Sequence, residues 1–166
     1  KVQTNTKTFE DVLNAIESKK LSVTTPIIGD EFVLENAKCE IMSTANNAEE
    51  LNLSSIVIRM VYGDQSFLFM GDAVRSNEES RDWPQTTILK VGHHGSDTST
   101  SKEFLEKVQP KIAIISCGKD NSYGHPAQIT LDKLSNIGAQ IYRTDEMGTI
   151  LITSNGRTNK VETNIK

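Results

Sequence analysis

The chain has few of the residues that staple a fold or carry it across a membrane. Its 166 residues include only two cysteines and three histidines, with one tryptophan, four prolines and 5% aromatics. Two cysteines exclude a disulfide-rich scaffold. Cys39 and Cys117 each sit in an apolar, strand-like run and read as buried free thiols. No apolar stretch approaches the length of a membrane span, and no basic-then-apolar segment marks a signal peptide. Excess positive charge is also missing. The formal charge of −4 excludes a whole-domain basic footprint for nucleic acid, though not a local one in which metal ions on carboxylates meet phosphate. There is no internal repeat and no low-complexity linker. The chain begins at Lys1 with the polar run Lys-Val-Gln-Thr-Asn-Thr-Lys, and is expected to be an excised piece of something longer.

What is present suits one domain with a real core. Residues 8–18 place Phe9, Val12, Leu13 and Ile16 at helical spacing. Strands are expected at 31–34 and 38–43, with a loop over 44–52 and a helical turn at 48–51. A hairpin of two buried strands, 55–61 and 66–70, turns at Tyr62-Gly63-Asp64-Gln65. A helix at 73–81 then leads to a strand at 87–91. A helix capped near Ser99-Thr-Ser-Lys-Glu103 ends before Pro110. A strand at 111–117 follows, then a helix opened by Pro126 and closed by Gly138. Final strands at 140–143 and 149–153 are joined across Asp145-Glu-Met-Gly148, and the polar tail after Gly156 is expected to fray. Alternating strands and helices in the second half predict an α/β or α+β layer protein.

The chemistry concentrates in three places, each with glycine beside a metal-competent side chain. Phe67-Leu-Phe-Met-Gly71 ends at Asp72, Leu89-Lys-Val-Gly92 ends at His93-His94-Gly95-Ser96, and Asn121-Ser-Tyr-Gly124 ends at His125-Pro126. Asp72 alone reads equally as a turn residue or helix cap. Joined with His94 and His125, it makes a chemically sensible metal set for zinc or manganese, able to activate water against a phosphoester. Neighbouring side chains on an extended segment point opposite ways, so only one of the two adjacent histidines is expected to bind metal. His94 is taken as that ligand. His93 is taken as the catalytic partner that orients it, touches substrate or caps the turn, and an exchange of the two roles stays open. Ser96 is a candidate substrate-binding residue, while Ser99 and Ser101 serve either phosphate or helix capping. Asn52 and Ser55 are expected to pin the loop beside the site, and Asp145 reads as a turn residue.

The series Asn52-x-x-Ser55-Ile-Val, Phe-Leu-Phe-Met-Gly-Asp72, Leu-Lys-Val-Gly-His-His-Gly-Ser96, Asn121-x-Tyr-Gly-His-Pro126 and Tyr142-Arg-Thr-Asp145-x-x-Gly148 resembles one domain type. It is similar to the metallo-β-lactamase-like domain at the C-terminal end of ComEC-type DNA-uptake (competence) proteins and to related stand-alone hydrolases. The resemblance implies an αββα sandwich with one or two metal ions, zinc or manganese, at the sheet edge. Asp72 then matches the bridging carboxylate, and the double histidine and His125 match the later histidine positions. It also implies hydrolysis of phosphodiesters, with single-stranded DNA or another phosphoester as partner, or of small esters such as phosphorylcholine esters. A fold kept only for binding or assembly is the alternative. One departure stands out, because no histidine precedes His93 and the family's His-x-His-x-Asp-His motif is therefore absent. The chain is expected to be the C-terminal half of the sandwich, with residues 1–51 connecting, 52–156 bearing the motifs and 157–166 a polar tail. Such a half would need the missing N-terminal half for turnover, and its exposed apolar faces suit pairing with another copy.

Overall fold

A computed structural model describes residues 6–44 and 51–163. The first helix, α1 (Lys7–Ser18), starts where the Thr6 side chain accepts a hydrogen bond from the Phe9 amide. Its apolar face is open among the described residues: Phe9, Val12 and Leu13 are all exposed. Strands β1 (Glu31–Leu34), β2 (Ala37–Ser43), β3 (Val57–Tyr62) and β4 (Gln65–Phe69) then pair in sequence as antiparallel neighbours. The expected helical turn at 48–51 lies largely outside the described residues, and a 3-10 turn runs from Leu51 to Ser54.

From β4 the chain changes mode. Strands β5 (Ile88–Lys90), β6 (Ile112–Ile115) and β7 (Gln140–Arg143) add in parallel, which completes a seven-stranded sheet in sequence order. Parallel neighbours need crossovers, and these carry α2 (Arg75–Glu79), α3 (Lys102–Val108) and α4 (Gln128–Asn136). The mixed α/β layers are those expected from the sequence.

Alternation along the strands separates the two faces of the sheet. Leu68, Met70, Leu89, Val91, Ala113 and Ile115 point to one face and are almost wholly buried, packing with Phe104, Leu105 and Val108 of α3 and Leu134 of α4. Trp83 closes this core edge-on to Phe104, with ring centroids 5.4 Å apart. The opposite face is only partly covered. There Met60, Phe67, Phe69, Ile88, Lys90 and Ile114 line a cleft of about 310 Å³ together with Ile150 and Ile152.

Two expectations need correction. The helix expected over 73–81 is the five-residue α2, because Asn77 Oδ1 accepts from the Val74 amide and holds the preceding residues in a turn. The two strands expected at 140–143 and 149–153 are present, but they lie in different sheets. A short helix, α5 (Thr144–Met147), separates β7 from β8 (Ile150–Ser154), which pairs instead with β9 (Asn159–Thr163). The tail after Gly156 is therefore a strand through Thr163 rather than a frayed end. Its turn is held by Asn155, whose Oδ1 accepts from the amides of Arg157 and Thr158.

Candidate functional site

The parallel strands β4, β5 and β6 all end at one edge of the sheet, the place where open α/β sheets bring functional loops together. Asp72 follows β4, His93 and His94 follow β5, and Ser116 follows β6. Asp72 is held by Ser55, whose Oγ accepts from the Asp72 amide at 3.1 Å. The expectation that Ser55 pins this loop is met.

The double histidine does not continue the strand. His93 and His94 both have left-handed backbone, with φ of 44° and 56°, inside a 3-10 turn from Gly92 to Gly95. The opposite-face reasoning applied to an extended segment therefore fails here. Two consecutive non-glycine residues in this region are uncommon and need strong support. It comes from the Gly71 carbonyl, which accepts from the His93 amide at 3.0 Å, and from two crowded glycines. A Cβ on Gly92 would stand 2.8 Å from the Ala73 carbonyl oxygen, and one on Gly95 would stand 2.7 Å from Pro126 Cβ at a φ of +80°. Gly95→Ala is expected to displace Pro126 and with it His125, lowering the unfolding free energy by at least ~1 kcal/mol. Urea denaturation with wild-type protein as reference checks this.

His94 Nδ1 lies 2.6 Å from the Ser116 carbonyl oxygen. A carbonyl only accepts, so Nδ1 carries a proton and the lone pair of the neutral ring is on Nε2. That Nε2 is 3.3 Å from Asp72 Oδ1. Two electron-pair donors held this close are placed to bind one cation between them. Ligands about 2.0–2.2 Å from a tetrahedral zinc stand roughly 3.4 Å apart, so the pair fits two corners of such a site. The backbone carbonyl behind the imidazole is the kind of support that metal-ligating histidines use.

The other histidines stand beside this pair. His93 Nδ1 lies 3.0 Å from Thr98 Oγ1, and the His93 ring centroid is 5.6 Å from that of His125. Asn121 clamps His125, with Oδ1 accepting from its amide at 3.0 Å and Nδ2 donating to its carbonyl at 2.6 Å. Burial, then the nearby His93 and His94, hold the His125 pKa below the usual histidine value, which keeps the ring neutral and able to donate a lone pair at neutral pH. Among the described residues, no three His, Cys, Asp or Glu side chains converge closely enough to enclose an ion. Asp72 and His94 face each other, and His125 stands next to His93.

Ser96, the candidate substrate-binding residue, is enclosed by the turn that follows the histidines. It is 2% exposed, and its hydroxyl faces Thr98 Oγ1 at 3.0 Å. Its carbonyl accepts from Thr130 Oγ1. Ser101 is a helix cap, accepting from the Phe104 amide, and Ser99 Oγ donates to the Gly92 carbonyl. Asp145 is committed to Arg143, which donates to both of its oxygens and holds its carboxyl below the usual carboxylate range. Cys39 is buried and Cys117 half-buried, and both are free. Burial, followed by hydrogen bonding to Asp145, pushes the Cys117 thiol up to about 11.

Sequence reasoning missed four residues that organise this edge: Glu78, Thr98, Ser116 and Asn121. Glu78 is the most buried, at 3% exposed, and its two oxygens accept from the amides of Thr100 and Ser101 at 2.5 and 2.8 Å. It thereby ties α2 to the loop that carries Thr98. Asn121 had a readable signal, an Asn four residues ahead of a histidine in a Gly/Pro turn.

Residues 48–119 match the metallo-beta-lactamase superfamily. The chain is 36% identical over 146 residues to ComE operon protein 3 of Bacillus subtilis (strain 168), covering 85% of this chain and 19% of that protein. It is 36% identical over 104 residues to the competence protein ComA of Neisseria gonorrhoeae, covering 60% and 15% of the two. Recombination protein 2 of Haemophilus influenzae is 36% identical over 103 residues, covering 61% and 13%. The chain spans less than a fifth of the length of these relatives.

Proposed function

We propose that this chain, which carries a metallo-β-lactamase-superfamily segment and is similar to competence proteins along most of its length, serves a metal-dependent hydrolase site for phosphodiesters, with single-stranded DNA during uptake as the substrate. The observation that carries this reading is the Asp72–His94 pair, 3.3 Å apart and backed by the Ser116 carbonyl at the carboxyl edge of parallel strands. That fold family implies a divalent ion, and zinc or manganese suits an Asp-His-His donor set of Asp72, His94 and His125. The ion supplies water activation and neutralisation of phosphate charge. Asp72 and His94 hold it, and Ser55 and Ser116 fix the directions of their donor atoms. His93 keeps Nδ1 on Thr98, which leaves Nε2 to move a proton to the departing oxygen as a P–O bond to water forms and the ester P–O bond breaks.

In this reading the chain is the C-terminal half of the site. A tetrahedral ion takes four ligands, so Asp72, His94 and His125 would leave at least one position for a further donor or water. The alternative is a non-catalytic binding or assembly module, a reading that draws on the lack of a three-donor cluster among the described residues. The activity test uses this chain joined to the part of its parent domain that supplies the remaining donors, with a labelled single-stranded oligonucleotide and p-nitrophenyl phosphorylcholine, each with zinc, manganese or EDTA. Oligonucleotide cleavage that EDTA abolishes is expected. Turnover of the small ester alone moves the substrate assignment to small esters, and an ion bound without either turnover supports the binding module.

A further inference from the structure

Between β6 and α4 the chain carries a large aromatic surface turned to water. Tyr123 is 82% exposed, yet it sits in a built turn. Asn121 holds the turn at both ends, with Nδ2 donating to the Gly118 carbonyl at 2.9 Å as well as to that of His125, and Gly124 takes a φ of +71°. The Tyr123 ring lies nearly parallel to the His125 imidazole, at an angle of 17° with centroids 5.9 Å apart. This is an offset stack. His125 in turn meets His93, so three rings run outward from the site, ending in Tyr123. One side of the tyrosine faces a histidine of the site and the rest is open. Shielding of His125 does not explain it, because a ring that exposed shields little. Burial does not hold it either, since Tyr123 is not part of the apolar core.

A flat aromatic face at the mouth of a site is what unpaired nucleobases use. Each base stacked on an aromatic side chain contributes a sequence-tolerant increment, because every base presents a π-face. Nucleic-acid binding by a chain of net charge −4 has little general counterion release to draw on, which leaves stacking a larger share. We propose that Tyr123 is a nucleobase platform, a binding subsite for one unpaired base of a single-stranded nucleic acid whose phosphate is presented to the site. The inference rests on the phosphodiester reading for its substrate class and adds the element that separates a nucleic acid from a small ester.

The test is the affinity of the metal-free chain, in EDTA so that no turnover occurs, for a fluorescein-labelled oligothymidylate and for an abasic oligomer of the same length. Wild type, Tyr123→Ala and Tyr123→Trp are compared by fluorescence anisotropy, with thermal unfolding as a check on folding. Tyr123→Ala is expected to raise the oligothymidylate Kd about 5- to 100-fold, and Tyr123→Trp to restore it to within about threefold of wild type. Binding of the abasic oligomer is expected to be weak and indifferent to all three residues. An unchanged Kd in Tyr123→Ala overturns the inference, as does an equal loss for the abasic oligomer or no oligothymidylate binding by wild type. Tyr123-dependent binding without metal-dependent cleavage by the intact domain leaves the platform standing and removes the hydrolase. Cleavage with unchanged Tyr123→Ala affinity does the reverse.

Discussion

Glu78→Ala is expected to lower the unfolding free energy by about 2–5 kcal/mol, the largest stability loss of any single polar side chain at this edge. The carboxylate is buried, and its oxygens accept from the amides of Thr100 and Ser101, just where the chain enters α3. Removing it strands two buried N–H donors, each costing about 1–3 kcal/mol when left without a partner. Thr100 also holds a φ of 57°, and this contact is what supports that conformation. Lys133 gives part of the charge balance: burial pushes its pKa down, Glu78 opposes that, and its ammonium donates to the Ser99 carbonyl. Glu78→Gln keeps one acceptor oxygen and is expected to lose less, about 1–2 kcal/mol. The check is the urea midpoint at constant m-value. A Glu78→Ala loss under ~0.5 kcal/mol would show that water replaces the carboxylate at α3. The damage is also expected to reach the site, because the loop between Ser96 and Ser101 carries Thr98 against His93.

In the intact domain, with the half that supplies the remaining donors, Asp72→Ala and His94→Ala are each expected to reduce metal-dependent phosphodiester cleavage by at least about a hundredfold. Loss of supporting partners around a metal already costs 10- to 100-fold, and loss of a ligand costs no less. Both side chains are half-exposed, so the urea midpoint should stay near that of wild type. Ser55→Ala, which removes only the hydroxyl facing the Asp72 amide, is expected to fall in the 10- to 100-fold range. Full cleavage by Asp72→Ala, measured with a labelled oligonucleotide against a metal-free blank, would remove this residue from the site.

The parts of this molecule that sequence conveys are those decided locally. The apolar runs at β4 and β6 and the capped start of α3 needed only periodicity and turn chemistry. So did the meeting of Asp72 with the double histidine, once each was placed at a strand end. What escaped is decided by partners far along the chain. Glu78 reads as one half of a Glu78-Glu79 pair on a short helix, and only the return of the chain at Thr100 buries it. Ser96 reads as an exposed hydroxyl after glycine, but Thr130 of α4 closes over its carbonyl. The left-handed pair His93-His94 follows from crowding of Gly92 by Ala73 and of Gly95 by Pro126, neither of which is a neighbour in sequence. The β8–β9 hairpin is a different kind of omission, since Asn155-Gly156 is a hairpin signal between two alternating segments. The polarity of the segment after it concealed the strand.

The most direct test of the metal site is the divalent-ion stoichiometry of this chain, titrated calorimetrically with zinc and with manganese beside Asp72→Ala, His94→Ala and His125→Ala. The account predicts about one ion per chain, lost in Asp72→Ala and His94→Ala and weakened in His125→Ala. No binding above background in the wild-type chain, or an ion retained equally by all three variants, would contradict it.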